Sequence, residues 1–273
     1  MTNTATVERR ECAKHGAYDA TLTPAPFAGI GPFCSGCPEC AREEETRERE
    51  RRALEKAKWR AERVASLRRD SGIPTRFAEA AFTLTGGETP ETIKAIRTAE
   101  RFADDFRAMH DEGKCLVLVG PPGTGKTHIA AAVANRVMEK HVQATQYATV
   151  AGLARATRAA FRKDSEESEA GLFERYAGAS LTILDELGAG SSQHERDLLF
   201  GLIDARYAEE LPMILISNLP PADLERYIGE RAFDRLIEAA VFLPMTGSSR
   251  RRKVNPDTKR RAEAFRANGK NHD

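Results

Sequence analysis

Residues 120–127 read Gly-Pro-Pro-Gly-Thr-Gly-Lys-Thr and match the pattern Gly-x4-Gly-Lys-Ser/Thr. An apolar run ends at Gly120, and an alanine-rich segment typical of a helix follows Thr127. Glycines let the backbone curl so that successive N–H groups point at phosphate oxygens, while the lysine contacts the β- and γ-phosphates and the hydroxyl holds Mg²⁺. We therefore predict an ATP site in which Lys126 binds phosphate and Thr127 binds Mg²⁺. The remaining loop residues are expected to contact the nucleotide: Gly120, Pro121, Pro122, Gly123, Thr124 and Gly125.

Two polar positions follow later apolar runs. Asp185 and Glu186 come directly after the run 181–184. Asp185 is expected to hold Mg²⁺ through water, and the adjacent Glu186 is expected to polarise the attacking water. With the phosphate loop, the pair predicts ATP hydrolysis rather than phosphoryl transfer to a small molecule. Asn218 follows Met213–Ser217, where its amide can orient water at the γ-phosphate or simply begin a turn.

Four cysteines lie within residues 12–40. Cys12-x2-His15 and Cys37-x2-Cys40 form two closely spaced pairs joined by a loop, which is how a short segment builds a tetrahedral Zn²⁺ site. Metal binding would supply most of the stability of such a segment. We predict structural zinc on these four residues and leave Cys34 unassigned. It can replace Cys12 or Cys37, it can complete an iron–sulfur cluster, or the thiols can be unligated.

Composition narrows the class of protein. The chain has 273 residues, of which 41% are hydrophobic, 30% charged and 7% aromatic. No stretch approaches the ~18 apolar residues of a membrane span, and the first residues lack the apolar segment of a secretory signal. We therefore expect a cytoplasmic protein without a membrane partner. Residues 250–270 carry a net charge of +7 against −6 for the remainder, a basic tail suited to a polyanion.

The chain divides into four predicted regions: a zinc-binding module at 1–40, a charged helix at 41–70, an ATPase domain at 71–250 and a basic tail at 251–273. Leu54, Ala57, Ala61 and Val64 form a narrow apolar stripe on the helix, able to dock on a partner or on the next domain. The segment 164–169 predicts a loop. Strands are predicted at Cys115–Val119, 142–148, 181–184, Met213–Ser217 and 240–243. Helices are predicted to begin near Lys126, Val150, Ser192, Pro221 and Glu230.

From about residue 72 to residue 252, the chain resembles the AAA+ ATPases of the DnaC helicase loader and IstB-like family. The matching segments are SGIPTRF (71–77), GPPGTGKT (120–127), LTILDELG (181–188), LIDARY (202–207), LISNLP (215–220), GERAFDRL (229–236) and GSSR (247–250). The resemblance implies an α/β P-loop fold of the ASCE class, with a five-stranded parallel sheet and a reduced lid. It also implies roles for Asn218 as sensor 1, Arg235 as an arginine finger on a neighbouring subunit's ATP, Arg231 as its assistant and Arg250 as sensor 2. From the residues alone, ion pairs of Arg231 and Arg235 with Glu230 or Asp234 are the simpler interpretation.

The resemblance extends to function. It implies an ATP-dependent accessory factor of DNA replication that binds single-stranded DNA, assembles with copies of itself and delivers a DnaB-like replicative helicase. The N-terminal Cys/His spacing is similar to a module that precedes the ATPase in some phage-type DnaC proteins. Two alternatives remain open. One is an IstB-like ATPase that assists a transposase, and the other is a zinc-bearing DNA-binding adaptor that uses ATP only as a conformational ligand.

Overall fold

The computed structural model describes residues 6–23, 32–83, 88–160, 168–190, 192–247 and 249. The chain separates into two compact units, an N-terminal unit, Met1–Glu62, and a C-terminal unit, Arg63–Asp273. In the described ranges, no helix combines the length and apolar character that crossing a membrane requires.

A small antiparallel sheet forms the first part of the N-terminal unit. Its strands are β1 (Thr6–Cys12), β2 (Gly16–Thr23) and the two-residue β3 (Phe33–Cys34), in the order β1-β2-β3. The amino-acid pattern of this segment predicts no strands. Most side chains of β1 and β2 are exposed, so the segment lacks the apolar alternation by which strands are recognised.

The long helix α1 (Pro38–Asp70) begins three residues before its predicted start. A proline is well suited to the first turn of a helix, because its missing N–H would have no partner there. Of the predicted apolar stripe, Leu54, Ala57 and Ala61 are exposed and Val64 is half-buried. The stripe therefore remains accessible over the part of α1 that belongs to the N-terminal unit.

The C-terminal unit contains a parallel sheet of five strands in the order β5-β6-β7-β4-β8, which confirms the predicted sheet. Each predicted apolar run contains a strand, although β5 begins at residue 145 rather than 142. Residues 137–141 form a π-helical turn, and Val142 ends it in the left-handed conformation. The strands are β4 (Cys115–Val119), β5 (Thr145–Thr149), β6 (Leu181–Leu187), β7 (Met213–Ser217) and β8 (Ala240–Pro244).

Helices connect these strands. The predicted loop at 164–169 is wrong at its end, because Ser168 caps a helix that begins at Glu169 and accepts a hydrogen bond from the Gly171 N–H. Residues 161–167 lie outside the described ranges. The helices are α2 (Pro90–Asp104), α3 (Phe106–Asp111), α4 (Lys126–Arg136), α5 (Val150–Ala160), α6 (Glu169–Gly178), α7 (Gln193–Ala208), α8 (Pro221–Ile228) and α9 (Glu230–Ala239).

Two apolar clusters fill the two faces of the parallel sheet. Leu116 and Leu118 pack in one cluster, whereas Val117 and Val119 pack in the other. Both faces are covered by helices, so β4 and β7 are buried along their whole length, and apart from Ser217 every residue in them is apolar. This is why these two strands are visible in the sequence as continuous apolar runs.

A buried arginine ties α7 to the end of α6. Arg206 is fully buried and donates hydrogen bonds to the carbonyl oxygens of Tyr176, Ala177, Ala179 and Pro212. Burial lowers the pKa of its guanidinium to about 10, so the group is still charged at neutral pH. Carbonyl groups at the end of a helix carry partial negative charge and stabilise this cation.

Candidate nucleotide and metal sites

The order of the strands brings the predicted nucleotide residues to one edge of the sheet. Because β7 lies between β4 and β6, Asn218 lies between the phosphate loop and the Asp185-Glu186 pair. All of these segments follow or form the carboxyl ends of parallel strands, where α/β proteins bind ligands. Residues of all three segments line one cavity of about 350 Å³.

The phosphate loop depends on glycine at positions where a side chain does not fit. Gly120 has a φ of 145°, and a Cβ atom there would collide with the carbonyl oxygen of Met245. Gly125 has a φ of 101° and precedes the first residue of α4. The loop therefore ends at a helix N-terminus, whose free N–H groups suit phosphate.

Lys126 is almost fully buried at the start of α4. Its Nζ donates hydrogen bonds to the carbonyl oxygens of Gly120 at 2.6 Å and Pro121 at 2.8 Å. These bonds hold the ammonium group against the loop. Phosphate oxygens can take the place of these carbonyl oxygens as acceptors, so the loop and the lysine together fit a nucleoside triphosphate.

Asp185 is the buried carboxylate of the site, with 4% of its surface exposed. Its Oδ2 accepts hydrogen bonds from Thr127 Oγ1 at 2.8 Å and from the Tyr147 hydroxyl at 2.9 Å, and its Oδ1 accepts one from the Glu186 N–H at 2.7 Å. Burial, and then the charge of Asp185, raise the pKa of the Tyr147 phenol well above its ordinary value, so the phenol remains a donor. A hydroxyl next to a carboxylate is a donor set that fits Mg²⁺.

Glu186 occupies an irregularity in β6. The pairing with β7 aligns Leu184 with Leu215 and then Leu187 with Ser217, so β6 contains one extra residue. Glu186 has a φ of 62° at this bulge and is exposed, whereas Asp185 is buried. Bulges near active sites redirect side chains. Because of the bulge, the two adjacent carboxylates have different surroundings. Asp185 accepts a hydrogen bond from Thr127, whereas Glu186 is exposed in the open cavity.

Asn218 is exposed at the end of β7 and lines the cavity. The preceding Ser217 accepts a hydrogen bond from the Leu219 N–H at 3.1 Å and donates one to the Leu187 carbonyl at 2.9 Å. Ser217 thus connects two parts of the site: the turn that contains Asn218, and β6, the strand that contains Glu186.

Five further residues that line this cavity had no role predicted from the sequence: Arg76, Phe77, Thr83, His128 and Ile216. The Arg76 guanidinium lies 4.7 Å from the centroid of the Phe77 ring, and the His128 ring meets Phe77 edge to face. Arg76 and Phe77 belong to the segment SGIPTRF, which was recognised as a motif. Its position far from the phosphate loop in sequence gave no indication that it contributes to the same cavity.

Arg235 forms an ion pair with Asp204 on α7, in place of the local partners Glu230 and Asp234 that its spacing suggested. Its guanidinium also lies 5.2 Å from the Tyr207 ring centroid. Arg231 is 3.9 Å from the same carboxylate and largely exposed. The i, i+4 spacing of the two arginines thus brings both to one acid on another helix.

The surroundings of Arg235 lie at the edge of the sheet opposite to the phosphate loop. It lines a cavity of about 400 Å³ together with residues at the amino ends of strands, Cys115 of β4 and Met213 of β7. The phosphate loop follows the carboxyl end of β4. Five residues of strand separate the two edges by roughly 15 Å, at about 3.3 Å per residue. Arg250 and the basic tail at 251–273, and with them the predicted reduced lid, lie outside the described residues.

The structure brings together the four predicted zinc ligands. Their ligand atoms all lie within 4.8 Å of one another. The Nδ1 atom of His15 lies 3.8, 3.6 and 3.3 Å from the sulfur atoms of Cys12, Cys37 and Cys40. Cys34 is not in the cluster, and its thiol is 3.5 Å from the Ser35 carbonyl. Three thiols and one imidazole fit a closed tetrahedral zinc site.

Neighbouring groups prepare this cluster for a metal. Backbone N–H groups of Lys14 and His15 lower the pKa of the Cys12 thiol to about 6, which favours its thiolate, and the hydrogen bond to Cys12 raises the pKa of Cys40, so the first proton leaves Cys12. The Nε2 atom of His15 lies 3.1 Å from a carboxylate oxygen of Glu43, which leaves Nδ1 for the metal. Sequence reasoning did not identify Glu43. Its position three residues after Cys40 on α1 was the available signal.

Comparison with known proteins is consistent with this geometry. A family model described as IstB-like ATP binding protein matches residues 40–258. The chain belongs to this family. It is 26% identical over 189 residues to the replicative helicase loader DnaC of Buchnera aphidicola subsp. Schizaphis graminum, covering 68% of this chain and 75% of the relative. It is 27% identical over 169 residues to DnaC of Escherichia coli K12, covering 61% of this chain and 66% of the relative.

Solved structures of other proteins have the same fold as this chain. A crystal structure of the DnaC helicase loader superposes with a TM-score of 0.57 at 23% identity, over 63% of this chain and all of that one. A crystal structure of DnaI gives 0.54 at 26% identity, over 66% of this chain and 95% of that one. The replication initiator DnaA bound to AMPPCP and single-stranded DNA gives 0.53 at 17% identity, over 65% and 52%. The AAA+ fold and the membership of a DnaC/IstB-like, ATP-binding family, both predicted from the motifs, are confirmed.

Proposed function

We propose that this protein is an ATP-hydrolysing helicase loader, which assembles with copies of itself on single-stranded DNA and delivers a DnaB-like replicative helicase in the cytoplasm. The observation that carries the proposal is the cluster of the phosphate loop, Asp185, Glu186 and Asn218 at one edge of the sheet, in a chain whose relatives are named replicative helicase loaders.

Each residue of this edge has a distinct part in the proposed hydrolysis. Lys126 and the loop N–H groups bind the β- and γ-phosphates. Bound Mg²⁺ would neutralise charge on the phosphate oxygens, with Thr127 and Asp185 holding it. Glu186 polarises the attacking water and accepts its proton, while the amide of Asn218 orients that water at the γ-phosphate.

Arg235 acts on the nucleotide of a neighbouring copy in this proposal. It lines a cavity at the amino edge of the sheet, so its own phosphate loop is out of reach. A guanidinium supplied by a neighbour stabilises the charge that develops on the transferred phosphoryl group. Arg231, which shares the carboxylate of Asp204, assists it, and Arg250 serves as sensor 2 on the chain's own nucleotide.

The N-terminal unit would serve the helicase and the basic tail would serve the DNA. Zinc on Cys12, His15, Cys37 and Cys40 stabilises the small sheet, and the exposed apolar side chains Leu54 and Trp59 of α1 offer contacts to the helicase. Lys and Arg residues of 250–270 bind phosphates without reading the sequence of bases.

The test of hydrolysis uses two substitutions. Lys126→Ala should abolish ATP binding, because it removes the side-chain cation of the loop. Glu186→Gln should retain ATP binding and lose turnover, because Asp185 and Thr127 are unchanged. A Glu186→Gln protein that hydrolyses ATP at the wild-type rate contradicts the assignment of Glu186.

The test of assembly mixes two inactive proteins. Arg235→Ala keeps an intact ATP site but lacks the finger, and Lys126→Ala keeps the finger but lacks the site. Their mixture should recover part of the ATPase activity, since one interface in each mixed pair is complete. Without recovery on mixing, the arginine does not act between copies.

An IstB-like ATPase that assists a transposase is the second candidate, and the match to the IstB-like family model favours it. Capture of partners from the native host separates the two: a replicative helicase supports the loader, and a transposase supports the alternative. In the third interpretation, a DNA-binding adaptor with negligible turnover, Glu186 would have no catalytic task. A wild-type protein without ATPase activity in the presence of DNA would support that interpretation.

A further inference from the structure

Tyr147 contacts the nucleotide site from the side opposite to the phosphate loop. It lies on β5, the strand at the edge of the sheet next to β6, and 7% of its surface is exposed. Its hydroxyl donates to Asp185 Oδ2, the same oxygen that accepts from Thr127. Neither the sequence motifs nor the proposed mechanism assign it a role.

The backbone of Tyr147 is fixed as firmly as its hydroxyl. Its N–H donates to the Ser71 carbonyl at 2.7 Å, so the chain that leaves α1 pairs with β5 at this residue. Gly72 has a φ of 72°, and a Cβ atom there would lie 2.6 Å from the Tyr147 carbonyl oxygen. Ser71 and Gly72, the first two residues of SGIPTRF, therefore hold the backbone of Tyr147 in place by a hydrogen bond and by close packing.

We propose that Tyr147 is a positioning residue for Mg²⁺, which acts by holding the Asp185 carboxylate in the orientation that the ion and Thr127 require. The inference rests on the proposed function, because it concerns the same nucleotide site. Asp185 Oδ1 is held by one backbone N–H, and Oδ2 is held by the two hydroxyl groups. Without the phenol, the carboxylate keeps a single side-chain donor and can rotate away from its position beside Thr127.

Groups that orient a metal's ligands have measurable effects on the metal. Loss of such a hydrogen bond typically lowers metal affinity by about 10-fold to 100-fold. The effect should therefore appear in the Mg²⁺ concentration that nucleotide binding requires. A residue that only fills space in the core would leave this concentration unchanged.

The experiment compares Tyr147→Phe with Tyr176→Phe. Both substitutions remove one phenolic hydroxyl from a buried side chain. The Tyr176 hydroxyl donates to the Tyr147 carbonyl oxygen at 3.5 Å, so its loss leaves the hydrogen bonds of Asp185 intact. Binding of a fluorescent, non-hydrolysable ATP analogue is titrated with MgCl₂ for both variants and the wild type, and thermal unfolding is recorded for each.

Tyr147→Phe is expected to need about 10-fold more Mg²⁺ for half-maximal binding of the analogue, and saturating Mg²⁺ should restore binding. Tyr176→Phe should need the wild-type concentration, even where both variants lose similar thermal stability. A wild-type requirement in Tyr147→Phe, or equal shifts in the two variants, would overturn the inference.

Failure of this inference is distinguishable from failure of the proposed function. If the wild type binds the analogue with Mg²⁺ but hydrolyses no ATP, the proposed hydrolysis is wrong, and the Mg²⁺ titration still decides the role of Tyr147. If the wild type hydrolyses ATP and the two variants need the same Mg²⁺, only the role of Tyr147 is wrong.

Discussion

The N-terminal unit and the C-terminal unit each contain a sheet, but different interactions stabilise the two. In the described part of the N-terminal unit, only Ala20 and Cys37 are buried. In the C-terminal unit, every residue of β4 and β7 is buried. The first sheet has too little apolar contact to be stable alone, whereas the second lies between two layers of helices. We therefore expect a metal bound by the Cys/His cluster to stabilise the N-terminal unit, as burial of apolar side chains stabilises the C-terminal unit.

Removal of zinc should have the largest effect and should affect one unit. Binding of structural zinc contributes about 10–16 kcal/mol in small zinc domains, so chelation should unfold the N-terminal sheet. The C-terminal unit should still bind ATP. Hydrogen exchange followed by mass spectrometry can record protection of β1 and β2 separately from that of β4 and β7.

Two variants control the chelation experiment. Cys37→Ser should reproduce the loss of protection in β1 and β2, because it removes a ligand. Cys34→Ser should retain zinc, because its thiol lies outside the cluster. If β2 stays protected after the metal has been removed, apolar and backbone contacts suffice and the contrast between the units is wrong.

Truncation of a core side chain in the parallel sheet should destabilise the C-terminal unit and leave the N-terminal unit unchanged. Leu215 is fully buried in β7, and Leu215→Ala should destabilise the C-terminal unit by about 2–5 kcal/mol. Denaturant unfolding measures this change in the free energy of unfolding. The zinc content of the purified protein should remain that of the wild type, and loss of zinc in this variant would mean that the two units do not fold independently.

Glu43→Ala should have a smaller effect, at the metal and at the exposed ion pair that Glu43 also forms with Lys14. Without the carboxylate beside Nε2, the His15 ring loses the partner that orients it, and zinc affinity should fall by about 10-fold to 100-fold. Competition with a zinc-binding dye measures this affinity. Glu44→Ala is the matched control, because it removes the adjacent exposed carboxylate, which pairs with Arg47 instead. Equal losses in the two variants would indicate a general effect of charge.

The smallest effect is expected on the exposed part of α1. Arg52 pairs with Glu48 one turn earlier, and both side chains are largely exposed. Arg52→Ala should change stability by no more than about 0.5 kcal/mol, since exposed i, i+4 pairs contribute little. Thermal unfolding should show no shift in either unit. A clear shift would mean that this face of α1 has contacts within the folded chain.

The same contrast explains what could be predicted from the sequence. Cys115–Val119 and Met213–Ser217 were predicted to the residue, because a strand covered on both faces is an unbroken apolar run. The N-terminal strands were missed because their exposed side chains form no such pattern. The clustering of Cys12, His15, Cys37 and Cys40 was predicted from spacing alone, since metal ligands must come in close pairs and their identity does not depend on a core.

Contacts between residues that are distant in sequence could not be predicted. Nothing near Arg235 in sequence indicates Asp204, and nothing near Asp185 indicates Tyr147. Each of these contacts depends on which strands and helices become neighbours, and the order β5-β6-β7-β4-β8 is not readable from the strands themselves. The residues of the phosphate loop could be predicted because their chemistry is contained in one continuous segment.

The proposed role of Arg235 on a neighbouring copy has a consequence for how copies of this chain can be counted. A guanidinium that serves another molecule's phosphate from the opposite edge of the sheet makes every contact head-to-tail, joining unlike surfaces of two identical chains. An open row of n such molecules then has n − 1 complete catalytic centres, and only closure of the row into a circle completes the last one. In the proposed mechanism, the molecule at the end that receives no arginine from a neighbour would hydrolyse its ATP slowly, so an open row would have two chemically different ends.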